Sequence, residues 1–307
     1  MKHEFQKIRI LDKKYWPESM LELPIRDIPQ KLHIKGANPN WSQKRVCIVG
    51  SRKYSDYGRA VCEKLISDLS FYPITIVSGL AYGIDSIAHK FAIENKLRTI
   101  AIPGSGLNDN VIYPARHLNL SEQIIESGGC LISEFDNNQT AAIWTFPQRN
   151  RIMAGISDLV LIIEACEKSG TMITARLALD YNIEVACVPG SIFNESSRGT
   201  NKLLRQGAHP VCSAEDVLNI LGFESGGNKS LFKKNFSSGN LNKTLQKNLE
   251  NILSPQELKI FHFLKNPLSK NDLIEKSGLG ISQLNIVLST LEIEGLIHTI
   301  EDKICQK

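Results

Sequence analysis

Between residues 45 and 222, short apolar runs rich in β-branched residues alternate with stretches whose apolar positions recur every three to four residues. The runs Val46–Gly50, Ile74–Ser78, Thr99–Pro103, Cys130–Glu134, Leu159–Ala165 and Glu184–Pro189 read as strands. Helical periodicity fills Arg59–Ser70, Ile84–Asn95, Leu118–Ser127, Arg149–Ser157 and Met172–Tyr181 between them. Strands that are apolar at nearly every position need cover on both faces, so the pattern predicts an α/β fold with a doubly wound, mostly parallel sheet. Nearly every strand runs out into small residues: Gly50-Ser51, Ser78-Gly79, Pro103-Gly104-Ser105-Gly106, Ser133, Ser169-Gly170-Thr171 and Pro189-Gly190-Ser191. In an open parallel sheet those ends share one edge, where ligands bind.

The pattern changes towards the C-terminus. Ser254-Pro255-Gln256-Glu257 is a capped helix start, followed by Leu258, Ile260, Phe261 and Leu264 on one face. Helices over Lys270–Lys276 and Ile281–Glu292 and a short strand over Leu296–Ile300 complete a small winged-helix-like domain. The expected organisation is a lead-in segment over 1–44, a Rossmann-like core over 45–224, a linker over 225–249 and the winged-helix-like domain over 250–307.

A chain of 307 residues has room for two domains, and its formal charge of +4 is too small for a global basic field. Lys229, Lys233, Lys234, Lys243 and Lys247 lie among Gly, Ser and Asn with no acid between 225 and 249, the composition of a flexible, mildly basic linker. The would-be recognition helix, Ile281 to Thr290, contains neither lysine nor arginine. Phosphate contacts dominate DNA affinity, so this module is expected to contact protein or regulate, not to read duplex DNA. The seven cysteines form no C-x-x-C pair and fall mostly in apolar runs, which suits small buried hydrophobes in a reducing cytoplasm and calls for no metal. The first twenty residues lack the apolar core of a signal peptide, and no run approaches the roughly 18 apolar residues of a membrane span.

The most telling segment is Phe146-Pro147-Gln148-Arg149-Asn150-Arg151. With Pro147 at the first helical position, Arg149, Asn150 and Arg151 fall in the first turn, where free amides and the dipole already favour anions. Other phosphate readers fail. A dinucleotide fingerprint after the first strand needs glycine at positions 50, 52 and 55, and the chain has Gly50, Arg52 and Ser55. Gly104-x-Gly106 ends on Asp109, and there is no G-x-x-x-x-G-K-[ST] loop. No nucleotide cofactor is expected. What remains is an edge of serine hydroxyls, amides, Arg52, Arg149 and Arg151, whose separated phosphate positions fit a polymer backbone better than one compact nucleotide. Tyr54, Tyr57, Tyr82, Tyr113 and Phe146 are close in sequence; stacking and burial are both open to them.

The runs Gly50-Ser51-Arg52, Ser78 to Asp85, Phe146 to Ser157, Ser169 to Ala175, Pro189-Gly190-Ser191 and Gly199 to Leu204 with Gly207-Ala208 resemble those of the DprA/Smf family in order and spacing. Tyr15-Trp16-Pro17 through Leu32 to Gly36 resembles that family's lead-in. The resemblance implies an extended Rossmann fold in a cytoplasmic homodimer that binds single-stranded DNA, protects incoming strands in natural transformation and loads the RecA recombinase. It implies no catalytic residue and no cofactor. It carries DNA contacts onto Gly50, Ser51, Arg52, Gly79, Phe146, Pro147, Arg149, Asn150 and Arg151, with Ser169, Gly170 and Thr171 beside them and Arg116 as a further candidate. Many relatives carry a helical domain before the core; roughly 45 residues precede the first expected strand here, so that domain's role is expected to be absent.

Asp85 and His89 stand four apart on one helix face, but no nucleophile accompanies them. Asp85 is expected to order the Ser78–Gly83 turn, with His89 an exposed or packed helix residue. Glu164 closes the strand before Ser169-Gly170-Thr171, where a base could stand, and is expected instead to pair with one of the arginines and fix its fork. The competing class is a nucleotide phosphoribohydrolase on a related core. Aligning its P-G-G-x-G-T-x-x-E signature on Gly170-Thr171 puts Thr174 where that chemistry needs a carboxylate.

Overall fold

Each central strand sends alternate side chains into two separate cores, which is what apolar runs with a period of two dictate. The computed structural model describes residues 7–223, 255–264, 268–293, 297–300 and 303–306. In chain order the first unit contains β1 (Arg9–Leu11), α1 (Glu18–Leu21), β2 (Leu32–Gly36), β3 (Lys44–Val49), α2 (Asp56–Leu69), β4 (Ile74–Ser78), α3 (Ile84–Glu94), β5 (Arg98–Ala101) and α4 (Leu118–Glu126). It continues with β6 (Cys130–Ser133), α5 (Thr145–Gly155), β7 (Leu159–Ile162), α6 (Gly170–Asp180), β8 (Glu184–Cys187), α7 (Glu195–Arg205), β9 (His209–Pro210) and α8 (Ala214–Ile220).

The sheet order is β1-β2-β6-β5-β4-β3-β7-β8-β9. Strands β3 to β9 run parallel to one another, whereas β2 pairs antiparallel with both β1 and β6. Cys47, Val49, Val77, Ile100, Val160 and Ile162 point to one face, where α5, α6 and α7 close over them. Val46, Ile48, Ile74, Ile76, Leu159 and Leu161 point to the other, under α2, α3 and α8. The chain builds outward from β3 through β4, β5 and β6, then returns to add β7, β8 and β9 on its other side. That reversal opens a crevice at the ends of β3 and β7.

All six expected strands and five expected helices form, with ends shifted by a few residues. Residues 9–36 were expected only to lead in, yet β1 and β2 join the sheet and Trp16, Met20 and Leu23 are buried in the α5 face. The reason is that β6 would otherwise be a bare sheet edge, and Leu32 and Ile34 alternate correctly to cover it. Among the described residues no helix is long and apolar enough to cross a membrane.

The second unit, within residues 226–307, consists of α9 (Pro255–Phe263), β10 (Leu268–Ser269), α10 (Lys270–Ser277), α11 (Ile281–Ile293), β11 (Ile297–Ile300) and β12 (Lys303–Gln306). Its strands form an antiparallel sheet in the order β10-β12-β11 around Ile260, Leu273, Leu284, Leu288 and Ile304. Ser269 and Asp272 cap α10 reciprocally. The expected cap at Ser254 and the whole of the expected linker over 225–249 lie outside the described residues.

If β2 is part of the core, Ile34→Ala, at a side chain with no exposure, should cost about 2–5 kcal/mol. Urea unfolding measures this, and a loss below about 1 kcal/mol would show that residues 9–36 add little to the fold.

Candidate nucleic-acid interface

Two of the three arginines expected at the edge are already bound to protein. Arg149 is 4% exposed. Its Nη1 donates to the carbonyls of Gly79 and Ile102, just past the ends of β4 and β5, and its Nε donates to Asn150 Oδ1 at 3.1 Å. A Cβ on Gly79 would run into the guanidinium, so glycine there is the condition for Arg149 to lie across the turn. Arg151 Nη2 pairs with Glu134 and its Nη1 donates to the carbonyl of Asp27. Burial pushes the Glu134 carboxyl up, against the pull of Arg151 and Gln148.

The helix also starts earlier than Pro147 suggests. Thr145 is the first residue of α5, and its hydroxyl donates to the Gly104 carbonyl at 2.6 Å. A tertiary anchor thus sets the start, and Pro147 at the third position removes an amide that would have had no partner anyway. Arg149 and Arg151 therefore lie in the second turn, where Arg149 shares a face with Ile152, Met153 and Ile156.

Below Arg149, Asp85 accepts from the Gly79 amide at 3.1 Å, as expected of a residue that orders the turn. Burial raises its pKa, while Arg149 and the amides of Ala81 and Gly79 pull it down. His89 is fully buried, with Nδ1 2.7 Å from the Thr99 hydroxyl. That hydroxyl donates to the Ile76 carbonyl at 3.0 Å, so His89 Nδ1 is the donor and Nε2 is left without a partner. Burial, then the neighbouring His117, pushes the His89 pKa down to about 3. Glu164 reaches no arginine; it accepts from the Ser55 amide and hydroxyl and from Ser196 Oγ, under the N-terminus of α2. The acid-favouring dipole of that helix stands where the arginine was expected.

What stays open at the crevice is different. Arg52 is exposed, has no ion pair among the described residues, and lies over the Phe146 ring with Cζ 5.2 Å from the centroid. Phe146 sits in the space above Gly104 and tilts against Tyr113 at 5.6 Å. Across the crevice, α6 begins at Gly170, over which there is open space. Thr171 Oγ1 bonds the Gly50 carbonyl at 3.2 Å, joining the loops after β3 and β7. Ser169 Oγ is buried without a partner and does not cap the helix. The arrangement brings together Gly50, Ser51, Arg52, Phe146, Ser169, Gly170 and Thr171. Gly79, Arg149 and Asn150 form the floor, Arg151 lies to the side in its ion pair, and Pro147 and Arg116 are exposed. Tyr82 against His117, at 5.1 Å, is a contact that sequence reasoning left unassigned.

A family model described as DNA recombination-mediator protein A matches residues 7–222, and one described as the DprA winged helix domain matches residues 247–303. Protein Smf of Escherichia coli is 39% identical over 212 residues, which is 69% of this chain but only 56% of that protein. The DNA processing protein DprA of Streptococcus pneumoniae is 38% identical over 218 residues, 70% of this chain and 75% of that one. The X-ray structure of the S. pneumoniae protein superposes with a TM-score of 0.64 at 36% identity, over 71% of this chain and 76% of the other. That of Helicobacter pylori DprA gives 0.62 at 31% identity, over 70% and 95%, and is described for its unique single-stranded DNA binding mode.

Two outcomes separate floor from surface. Arg149→Ala leaves two buried carbonyls without their donor and removes the positive charge near Asp85, and should cost about 3–5 kcal/mol in urea unfolding, whereas Arg52→Ala should stay within about 1 kcal/mol of the parent. For His89, the folded pKa of about 3 lies below the ordinary 6.5, so its contribution is complete above pH 6.5 and is lost as pH falls towards 3. His89→Gln should flatten the decline of unfolding free energy over that window by up to about 1.4 kcal/mol per pH unit relative to the parent.

Proposed function

Because this chain belongs to the DprA/Smf family of DNA recombination-mediator proteins, we propose that it binds single-stranded DNA along the crevice at the ends of β3 and β7. In this reading it is a cytoplasmic homodimer that protects incoming strands and loads the RecA recombinase onto them during natural transformation. It holds the strand by its backbone and does not cut it.

The observation that carries the reading is Arg52: an exposed guanidinium with no carboxylate partner among the described residues, spread over an aromatic ring. A cation and a π-face at one place suit a ligand in which phosphates and bases alternate. Around it, the open approach to Gly170, the free start of α6 and the unpartnered Ser169 hydroxyl supply neutral donors for a phosphate. The buried Arg149 gives support from below, because it fixes the turns that carry Gly79 and Ile102. In α11 the exposed Ile281 and Ile286, with no cation on the helix, favour a protein-contact or regulatory role for the C-terminal unit.

The phosphoribohydrolase reading has less support. Thr174, where that chemistry needs a carboxylate, is buried within α6. Incubation with nucleoside monophosphates should release no free base.

The deciding experiment is a gel shift comparing oligothymidylate with duplex DNA over a range of salt. The parent should prefer the single strand. Arg52→Ala should weaken binding for all sequences and reduce the salt slope by about one. An unchanged affinity and slope in a folded Arg52→Ala protein would remove this groove from consideration.

A further inference from the structure

The turn from Ser78 to Gly83 leaves β4 and comes back against the loop that carries Arg52. A Cβ on Gly83 would strike the Ser51 carbonyl and the Arg52 Cα, and the Ile84 amide donates to the Ser51 carbonyl at 3.2 Å. Gly83 stands at φ 84°, a backbone that glycine adopts freely and that permits this close approach. The backbone under Arg52 therefore sits where this turn puts it. We propose that His117 is a positioning residue for the single-strand site: it holds the Leu80 carbonyl, keeps the turn closed against Ser51 and Arg52, and so sets where the Arg52 guanidinium stands. The inference rests on the single-strand reading and extends it to a residue that acts without touching the strand.

The turn is held from outside. Leu80 lies in the left-handed region at φ 59°, a conformation that a branched side chain keeps only when its surroundings over-determine it. Two of the constraints come from one place, the start of α4. The Leu80 side chain is fully buried in a small core with Leu107, Ile112, Leu120 and Ile124, the last two from α4. His117, the residue just before that helix, brings Nδ1 to 2.7 Å from the Leu80 carbonyl. A carbonyl oxygen only accepts, so Nδ1 is the donor. Tyr82, from the same turn, stands edge-on to the imidazole at 5.1 Å.

The other fixed groups of the turn are tied more deeply. Asp85 holds the Gly79 and Ala81 amides, and Arg149 holds the Gly79 carbonyl. Both side chains are buried, so losing either one disturbs the core as well as the turn. His117 is only half-buried. Its bond can be removed from the rim, which makes its effect on Arg52 separable from its effect on the fold. A slack Leu80 carbonyl frees the backbone three residues before Gly83, and the support beneath Arg52 loosens with it.

The test measures oligothymidylate binding by the full chain, with Arg52→Ala as the reference variant. His117→Phe keeps a ring beside Tyr82 but has no donor, and should weaken binding about fivefold or more. His117→Asn gives up the ring but offers its side-chain amide at the same reach as the imidazole Nδ1, and should bind within about twofold of the parent. If His117 works through Arg52, the losses should not add: in an Arg52→Ala protein, His117→Phe should change affinity by less than about twofold. Additive losses would mean that His117 touches the strand itself or acts elsewhere, and would overturn the proposal. Parental binding by a folded His117→Phe protein would do the same, as would a His117→Asn loss as large as that of His117→Phe. Should His117→Phe not fold, His117→Asn decides: parental affinity supports the donor role, and a loss of about fivefold removes it. If the parent does not bind oligothymidylate, or Arg52→Ala binds as the parent does, the single-strand reading of this crevice fails first and takes the inference with it.

Discussion

A buried guanidinium must find carbonyl or carboxylate oxygens, and Arg149 finds them at the ends of two neighbouring strands. Through the Gly79 and Ile102 carbonyls it ties β4 to β5 just where the parallel sheet stops supplying partners. Asp85 holds the same turn through the Gly79 amide. Between them a cation and an anion fix both the donor and the acceptor of one glycine. The whole edge takes its shape from that arrangement. Phe146 lies over the Gly104 turn and touches both Arg52 and Tyr113, while Thr171 at the start of α6 bonds the Gly50 carbonyl two residues before Arg52.

The fold was largely legible because a doubly wound sheet writes itself as apolar runs separated by amphipathic helices. The winged-helix-like unit was legible from its helical spacing for the same reason. The sheet's first two strands were not. Arg9–Leu11 has three residues, and Leu32–Gly36 contains a histidine and a lysine, so neither looks like a core strand until β6 is seen to need a partner. Such strands are specified by the edge they cover more than by their own composition.

The site was legible by position and not by role. Arg52, Arg149 and Arg151 are equally charged letters, and a sequence does not say whether water, a carbonyl or a carboxylate stands opposite. One signal was available. Arg149 lies three, four and seven residues before Ile152, Met153 and Ile156, so helical periodicity already puts it on the buried face. For Arg52 the loop setting, with no acid within reach on the same turn, pointed the other way. Glu164 misled because its partners, Ser55 and Ser196, are small neutral residues far away in sequence. For Tyr82 and Tyr113 the sequence left stacking and burial both open, since neither the His117 ring beside one nor the Phe146 ring beside the other is adjacent in sequence.

The two ends of the nine-stranded sheet differ sharply from its middle. One margin is β1, three residues long, and the other is β9, two residues long and ending in Pro210, which has no amide proton to offer. Margins that short present almost no unpaired ladder to another chain. Among the described residues, the margins of this sheet thereby offer copies of the first unit little of the simplest route to association, sheet joined to sheet. Whatever assembles along those two margins must recognise side chains, and that kind of recognition can be tuned or reversed where an extended β-ladder would tend towards aggregation.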